Sequence, residues 1–198
     1  MLDLQNVFVN KSYEDNEAEL VNMSKDVYSL SWEQAYWLAK CLDECSPEDV
    51  STSDLIDLFE HAFDEGLTAG INYDYYIDAS EKLARLYIRN KDYDYANNIL
   101  MELTKIMKPV PDWVYINYCM AQINSDTVYR HAADPVFFFK LLDSISVDSY
   151  STRAVIYQKF LNRLYEIKEK EPDRKINISQ FESVKYKYIG HYFDNEEN

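Results

Sequence analysis

Glycine is nearly absent from this chain, and its scarcity limits the fold more than any other feature of the sequence. The chain has 3 glycines and 5 prolines among 198 residues. Tight hairpin turns and phosphate-binding loops need glycine at positions of positive φ, so a many-stranded sheet and a nucleotide loop are not expected. Because 47% of the residues are hydrophobic, the chain can nevertheless bury a core. Together these two facts predict an all-α fold.

Apolar residues recur at intervals of three and four along most of the sequence, as they do on the buried face of a helix. The pattern is clearest in residues 31–42, 71–90 and 152–170. Ser31 precedes the first of these segments as a candidate N-cap, and Gly66 is expected just past the end of another helix. We predict about eight or nine helices, packed as antiparallel hairpins.

The helices are expected to form one domain over residues 1–198, with flexible ends at 1–15 and 194–198. No stretch approaches the roughly 18 apolar residues that a membrane span needs, and Met1–Asn6 lacks the basic and apolar regions of a secretory leader. Three cysteines are an odd number, which suits a disulfide framework poorly. We therefore expect a cytoplasmic protein with reduced thiols and no membrane partner.

Charge is distributed unevenly along the chain. There are 35 acidic residues against 20 lysines and arginines, a formal net charge of −15. Residues 1–66 contain sixteen of the acidic side chains and only three of the basic ones. Direct binding of DNA or RNA depends on Lys and Arg contacts with phosphate and is not expected. The expected partner is a basic protein or peptide, and acidity that serves solubility alone is the alternative.

Residues 79–109 have the pattern of two antiparallel helices joined by a tight turn. Small or apolar residues face the partner helix, an aromatic residue lies at the turn and a proline closes the unit: Leu83, Ala84, Tyr87, Tyr93, Ala96, Leu100 and Pro109. This pattern resembles the tetratricopeptide repeat, a helical hairpin of about 34 residues, although Leu103 occupies a position where that family usually has a small residue. The resemblance continues in degenerate form over residues 31–123, and a generic α-hairpin has the same periodicity.

The resemblance implies that such hairpins stack into an α-solenoid, in which the first helix of each unit lines a groove for a partner. In this sequence the groove positions are Asp78, Glu81, Arg85, Ile88 and Arg89. Family members that clamp a terminal carboxylate use basic and asparagine residues there, whereas Asp78 and Glu81 are acidic. A basic or mixed-charge peptide is the expected ligand, and a protein-interaction adaptor or scaffold is the expected function.

Tyrosine is frequent, with 18 residues in the chain. Its ring supplies apolar area with a polar tip, a combination that is enriched at protein interfaces. Most of these tyrosines are expected at the edges of the helical core. Tyr73, Tyr75 and Tyr76 lie in an acidic tract directly before the groove positions, and we predict that these three contact the partner.

Three carboxylates on one helix complete the predicted contacts. Asp57, Glu60 and Asp64 share that helix with His61, and a carboxylate beside a histidine can also tune a base or bind a divalent ion. A metal-dependent enzyme built on these residues ranks far behind a binding protein, because chance explains the grouping on so acidic a helix. The sequence has no nucleophile elbow and no paired-histidine motif.

We therefore expect a protein that is not an enzyme and that has no metal or cofactor. The alternative to an adaptor is a small acidic inhibitor or immunity-type protein, which would neutralise a basic nuclease or nucleic-acid-binding partner. The acidic first third motivates this alternative, since carboxylates can take the place of phosphates on a basic surface. The oligomeric state is left open.

Overall fold

The computed structural model describes residues 2–70 and 73–189, and within these ranges the chain is all-α with no strand. The all-α prediction is thus confirmed. The α-helices are α1 (Leu4–Asn10), α2 (Tyr13–Met23), α3 (Trp32–Cys45), α4 (Thr52–Ala69), α5 (Tyr73–Asn90), α6 (Tyr93–Ile106), α7 (Asp112–Asn124), α8 (Val128–Ala133), α9 (Val136–Ser144), α10 (Tyr150–Lys170), α11 (Ile178–Glu182) and α12 (Lys185–Tyr188). Short 3₁₀ segments cover Ser24–Ser29 and Val147–Ser149.

These described segments outnumber the eight or nine helices expected from the sequence. The excess consists of short helices, namely α1 and α8, and the pair α11 and α12 in a stretch where the sequence predicts one helical segment. A helix this short shows too few turns for a periodic apolar pattern to be recognised. In the described part of the chain, none of the helices has the length and apolar character needed to cross a membrane.

Backbone contacts divide the chain into two compact units, residues 1–99 and 100–198. The single domain expected from the sequence stays a prediction. All three cysteines are free thiols; Cys41 and Cys119 are buried and Cys45 is half-buried. Burial raises the pKa of Cys41 and of Cys119 to about 12, so both thiols stay protonated at neutral pH.

The start of unit 1–99 is helical, although the sequence predicts a flexible end over residues 1–15. Asp3 caps α1 by accepting a hydrogen bond from the Asn6 backbone N–H, and Leu4 and Val7 are buried against the unit. The Cys41 thiol of α3 also donates to the Leu4 carbonyl at 3.6 Å. Two buried apolar residues on one face are enough to dock α1 against the rest of the unit. Residues 194–198 lie outside the described residues.

Helices α3 and α4 both begin at capping boxes, in which a serine and the side chain three residues later bond each other's backbone N–H. Ser31 caps α3, as predicted, and Ser51 caps α4. Helix α4 does not end at Gly66, which is buried within it. It ends instead at Gly70, whose φ of 80° is the left-handed conformation that favours glycine.

Packing in unit 1–99 proceeds from helix to neighbouring helix. Helix α3 packs on α1, α2 and α4, and α4 packs on α5. Between them lie fully buried side chains such as Leu38, Leu42, Leu58 and Phe59. The two helices predicted over residues 79–109 exist as α5 and α6, and within this unit Leu83, Ala84, Tyr87 and Ala96 are buried, as expected. The contacts among α1 to α5 confirm packed neighbouring helices, and the repeat family itself stays a prediction.

Unit 100–198 is built around α7, α9 and α10. The Phe138 and Phe160 rings stack with centroids 4.2 Å apart, and Phe181 meets Phe160 edge-on. The run of three phenylalanines on α9 is divided between environments, because consecutive helical residues point in different directions. Phe138 is fully buried, Phe139 packs on Tyr188, and Phe137 is 46% exposed.

Candidate functional site

The candidate site lies in unit 1–99, on the side where α3 and α5 meet. Lys40 Nζ on α3 is 3.2 Å from Asp78 Oδ2 on α5, and Lys82 Nζ on α5 is 2.8 Å from Asp43 Oδ2 on α3. The higher-numbered residue of α3 pairs with the higher-numbered residue of α5, so the two helices run in the same direction. These reciprocal ion pairs are half-buried and hold the two helices in one register.

Asp78, predicted as a groove contact, is the centre of a small network on this face. Its Oδ2 accepts hydrogen bonds from the Tyr36 hydroxyl at 2.6 Å and from Lys40 at 3.2 Å. Burial of Tyr36, and next its hydrogen bond to Asp78, raises the pKa of the phenol well above its usual value. The carboxylate is therefore engaged within the unit, although 38% of its side chain is exposed.

The other predicted groove residues follow one another along α5. Glu81 forms an ion pair with Arg85 one turn later, and 54% of the Arg85 side chain is exposed. Arg89 is exposed and Ile88 is half-buried. The structure thus places Arg85 and Arg89 toward solvent, whereas Glu81 is half-buried and Asp78 bonds residues of α3.

Tyr75, one of the three tyrosines predicted to contact a partner, packs inside an aromatic cluster. Its ring centroid lies 5.9 Å from that of Trp32, 5.1 Å from that of Tyr36 and 6.2 Å from that of Trp37, and every pair is edge-to-face. Such pairs add about 0.5–1.5 kcal/mol to the free energy of burial. The Phe8 ring of α1 joins the cluster at 5.4 Å from Trp37.

The two neighbouring tyrosines have different surroundings. Tyr76 is half-buried and its ring lies 5.0 Å from Phe63 of α4. Tyr73 is 56% exposed and, of the three, presents the most surface to solvent. The structure therefore does not bring the three tyrosines together as one exposed patch.

A cleft of about 260 Å³ opens beside the aromatic cluster. Its walls include the Trp37 and Tyr75 rings, and residues at the start of α1 and the first turn of α3 complete it. Two carboxylates, those of Asp3 and Glu33, line it, and both residues are exposed. Aromatic faces and carboxylates attract the same kind of ligand, a cation.

The carboxylates predicted on α4 differ in their exposure. Asp57 and Asp64 are exposed, whereas Glu60 is half-buried and accepts a hydrogen bond from the Tyr87 hydroxyl of α5. His61 Nε2 lies 2.9 Å from the Leu30 carbonyl oxygen. In residues 2–70 and 73–189, no three His, Cys, Asp or Glu side chains are grouped so that they could hold a metal ion.

Sequence reasoning did not identify Trp37, Glu33 or Asp3 as site residues. A signal for the aromatic wall was present, since Trp32, Tyr36 and Trp37 recur at helical spacing along α3. Nothing in the sequence indicated that the chain preceding α1 would reach the first turn of α3. No family model, curated protein or solved structure matches this chain.

Proposed function

We propose that this protein is an interaction module whose acidic N-terminal third binds a basic segment of a partner protein. The observation that carries the proposal is the exposure of its carboxylates. Thirteen of the sixteen acidic residues in 1–66 are exposed: Asp3, Glu14, Asp15, Glu17, Glu19, Asp26, Glu33, Glu44, Glu48, Asp49, Asp57, Asp64 and Glu65.

The basic residues of this region do little to compensate that charge. Only Lys11, Lys25 and Lys40 are present, and the Lys40 ammonium is already paired with Asp78. A surface with such an excess of one sign accelerates the approach of an oppositely charged partner and repels nucleic-acid phosphate. The proposed partner is therefore a basic protein or peptide.

The helices provide the rigid support that such a surface needs. In the proposed arrangement α3 and α5 are the first helices of successive repeat-like hairpins, and α4 is the second helix of the first hairpin. The parallel course of α3 and α5 and their reciprocal ion pairs support this arrangement. Arg85, Arg89 and Glu81 then supply mixed charge along the same helix as Asp78.

A random-peptide display library tests the proposal, because it offers basic, neutral and acidic segments to the protein at once. Immobilised protein is expected to enrich peptides rich in Lys and Arg over the input library. A variant with Asp57→Lys, Asp64→Lys and Glu65→Lys should lose most of that enrichment, because it reverses three exposed charges of the N-terminal third.

The matched control reverses three exposed charges in unit 100–198, at Asp126, Glu169 and Asp173. It changes the net charge by the same amount and should retain the enrichment. Equal losses in both variants, or no preference for basic peptides in the unmodified protein, would overturn the proposal. Circular dichroism of both variants checks that the helices are intact.

A further inference from the structure

We propose that the cleft beside the aromatic cluster, lined by Asp3, Glu33, Trp37 and Tyr75, receives a single lysine or arginine side chain of the basic partner segment. This inference rests on the proposed function and names the feature that the partner must present. The cavity of about 260 Å³ is smaller than the roughly 300–1,000 Å³ typical of sites for drug-sized molecules. A single side chain suits this volume.

The aromatic walls are fixed in place before any ligand arrives. Trp37 is held by Phe8 at 5.4 Å and by Tyr36 at 5.1 Å, and Tyr75 contacts Tyr36 at the same centroid distance of 5.1 Å. Tryptophan gives the strongest cation–π attraction, for cations within about 6 Å of the ring centroid. Since the rings are already ordered, binding loses little side-chain entropy.

Lys40 shows how this aromatic cluster accommodates an ammonium group. Its Nζ lies 4.7 Å from the centroid of Phe8, 5.2 Å from that of Tyr36 and 5.5 Å from that of Trp37. Its charge is balanced by Asp78, so it does not neutralise the cleft carboxylates. Another cation can therefore approach Trp37 from the cleft.

The two carboxylates of the cleft have capacity for a cation. Glu33 forms none of the ion pairs found among the described residues, and the Asp3 carboxylate accepts a hydrogen bond from the Asn6 N–H through Oδ1 at 3.1 Å. The Trp37 and Tyr75 rings beside them add a cation–π attraction for the same ligand. An isolated surface carboxylate would lack that advantage.

The dipoles of the helices at the cleft oppose the binding of a cation, so their partial charges must be compared with those of the two carboxylates. The cleft lies at the N-termini of α1 and α3, and Tyr75 is in the first turn of α5. Each N-terminus is equivalent to at most about +0.5 charge and its effect falls off within one turn. The ends of α1 and α3 are moreover capped by Asp3 and Ser31. Two full carboxylate charges outweigh these capped ends, so the cleft selects a cation.

Binding of a short peptide to the protein tests this inference directly. The probe is acetyl-Gly-Ser-Arg-Ser-Gly-amide, with versions carrying lysine, citrulline or glutamate in place of arginine; citrulline keeps the shape of arginine without its charge. In titrations followed by ¹H–¹⁵N NMR, the arginine or lysine peptide should shift the Trp37 indole and the Trp37 and Tyr75 amide signals in a saturable way. The citrulline and glutamate peptides should not.

The variant Asp3→Asn with Glu33→Gln removes both charges while asparagine still caps α1. It should weaken binding of the arginine peptide about five- to tenfold, the size expected for two partly exposed charge contacts. The control Glu48→Gln with Asp49→Asn neutralises two other exposed carboxylates and should leave binding nearly unchanged. Both variants preserve side-chain volume, and unchanged ¹H–¹⁵N spectra away from the mutations confirm the fold.

Three results would overturn the inference: equal binding of the citrulline peptide, equal weakening in the two variants, or shifts confined to residues outside the cleft. Its failure can be told apart from that of the proposed function. If the display library still selects basic peptides and their affinity is unaffected by Asp3→Asn with Glu33→Gln, the acidic surface binds the partner without this cleft. If no basic peptide is selected, the proposed function itself fails.

Discussion

His131 illustrates how one buried residue makes stability depend on pH. Only 5% of it is exposed, and its Nε2 lies 2.6 Å from Gln122 Oε1. Burial lowers the pKa of His131; the nearby Arg130 charge lowers it further, whereas Asp134 raises it. The neutral imidazole is therefore the form that the folded state favours.

The lowered pKa of His131 predicts the direction in which stability changes with pH. The stabilising contribution is complete above the unfolded pKa of about 6.5 and is lost as the pH falls below it through the lower, folded pKa. Urea unfolding at pH 7.5 and pH 5.5 should show a smaller loss of stability for His131→Gln than for the unmodified protein. An equal loss in both would show that His131 titrates alike in the folded and unfolded states.

The Asp78 carboxylate gives a second prediction at the scale of one residue. Replacing it with alanine leaves the buried Tyr36 hydroxyl without its acceptor and the Lys40 ammonium without its ion-pair partner, although Lys40 still donates to the Tyr36 oxygen. We expect Asp78→Ala to lower the free energy of unfolding by about 1–3 kcal/mol. The exposed Asp57→Ala on α4 serves as a control and should change it by no more than about 0.5 kcal/mol.

Thermal or urea unfolding measures both Asp78→Ala and its control. A cost for Asp78→Ala as small as that of Asp57→Ala would mean that solvent replaces the lost acceptor. Asp78→Asn retains an acceptor for the Tyr36 hydroxyl and should fall between the two. The order of the three stability costs separates the contribution of the hydrogen bond from that of the charge.

At the scale of the elements, the pairing of α3 with α5 is the feature that positions the candidate site. The Lys82–Asp43 pair joins the two helices and is about four-fifths buried at each end. The Glu81–Arg85 pair lies within α5 alone and is more exposed. The first pair should therefore contribute more to stability than the second.

Double-mutant cycles compare the two pairs. Lys82→Met with Asp43→Asn should give a coupling free energy of about 1 kcal/mol, at the upper end for partly exposed pairs. Glu81→Gln with Arg85→Met should give about 0.3–0.5 kcal/mol, the usual value within a helix. If the helix-joining pair couples no more strongly than the other, α3 and α5 are not held together by these charges.

The sequence was sufficient for features that depend on neighbours along the chain. The N-cap at Ser31, the helix described as α5, and the all-α class follow from local spacing and were predicted. Contacts between distant residues were not predicted, because the periodicity of apolar residues shows which face of a helix is apolar but not which element covers it. Tyr75 was predicted to contact a partner, but its packing on Trp32 and Tyr36, about forty residues earlier, was not predicted.

Of the candidate site, the sequence predicted the overall charge and two of its residues, Tyr75 and Asp78, but not the cleft itself. Counting residues was enough to locate the acidic third, and the structure adds that most of its carboxylates are exposed. Which carboxylates lie beside aromatic rings depends on the docking of α1 near the first turn of α3. That docking rests on Leu4 and Val7, two residues in a segment that the sequence predicts to be flexible.

At the scale of the whole molecule, the distribution of charge governs the proposed behaviour. The net charge of −15 resides almost entirely in the first third, where exposed carboxylates dominate. Solvent-exposed charges are screened over a distance that shortens from about 10 Å at 0.1 M salt to about 3 Å at 1 M. Binding that depends on this surface must therefore weaken as salt is added.

The most direct measurement is the dissociation constant of a library-selected basic peptide, determined by fluorescence anisotropy from 50 mM to 500 mM NaCl. We expect affinity to fall at least about tenfold over this range, as for an interface dominated by exposed charges. The Asp57→Lys, Asp64→Lys, Glu65→Lys variant should bind weakly even at 50 mM NaCl. An affinity that is independent of salt and unaffected by this variant would contradict recognition of a basic partner by the acidic third.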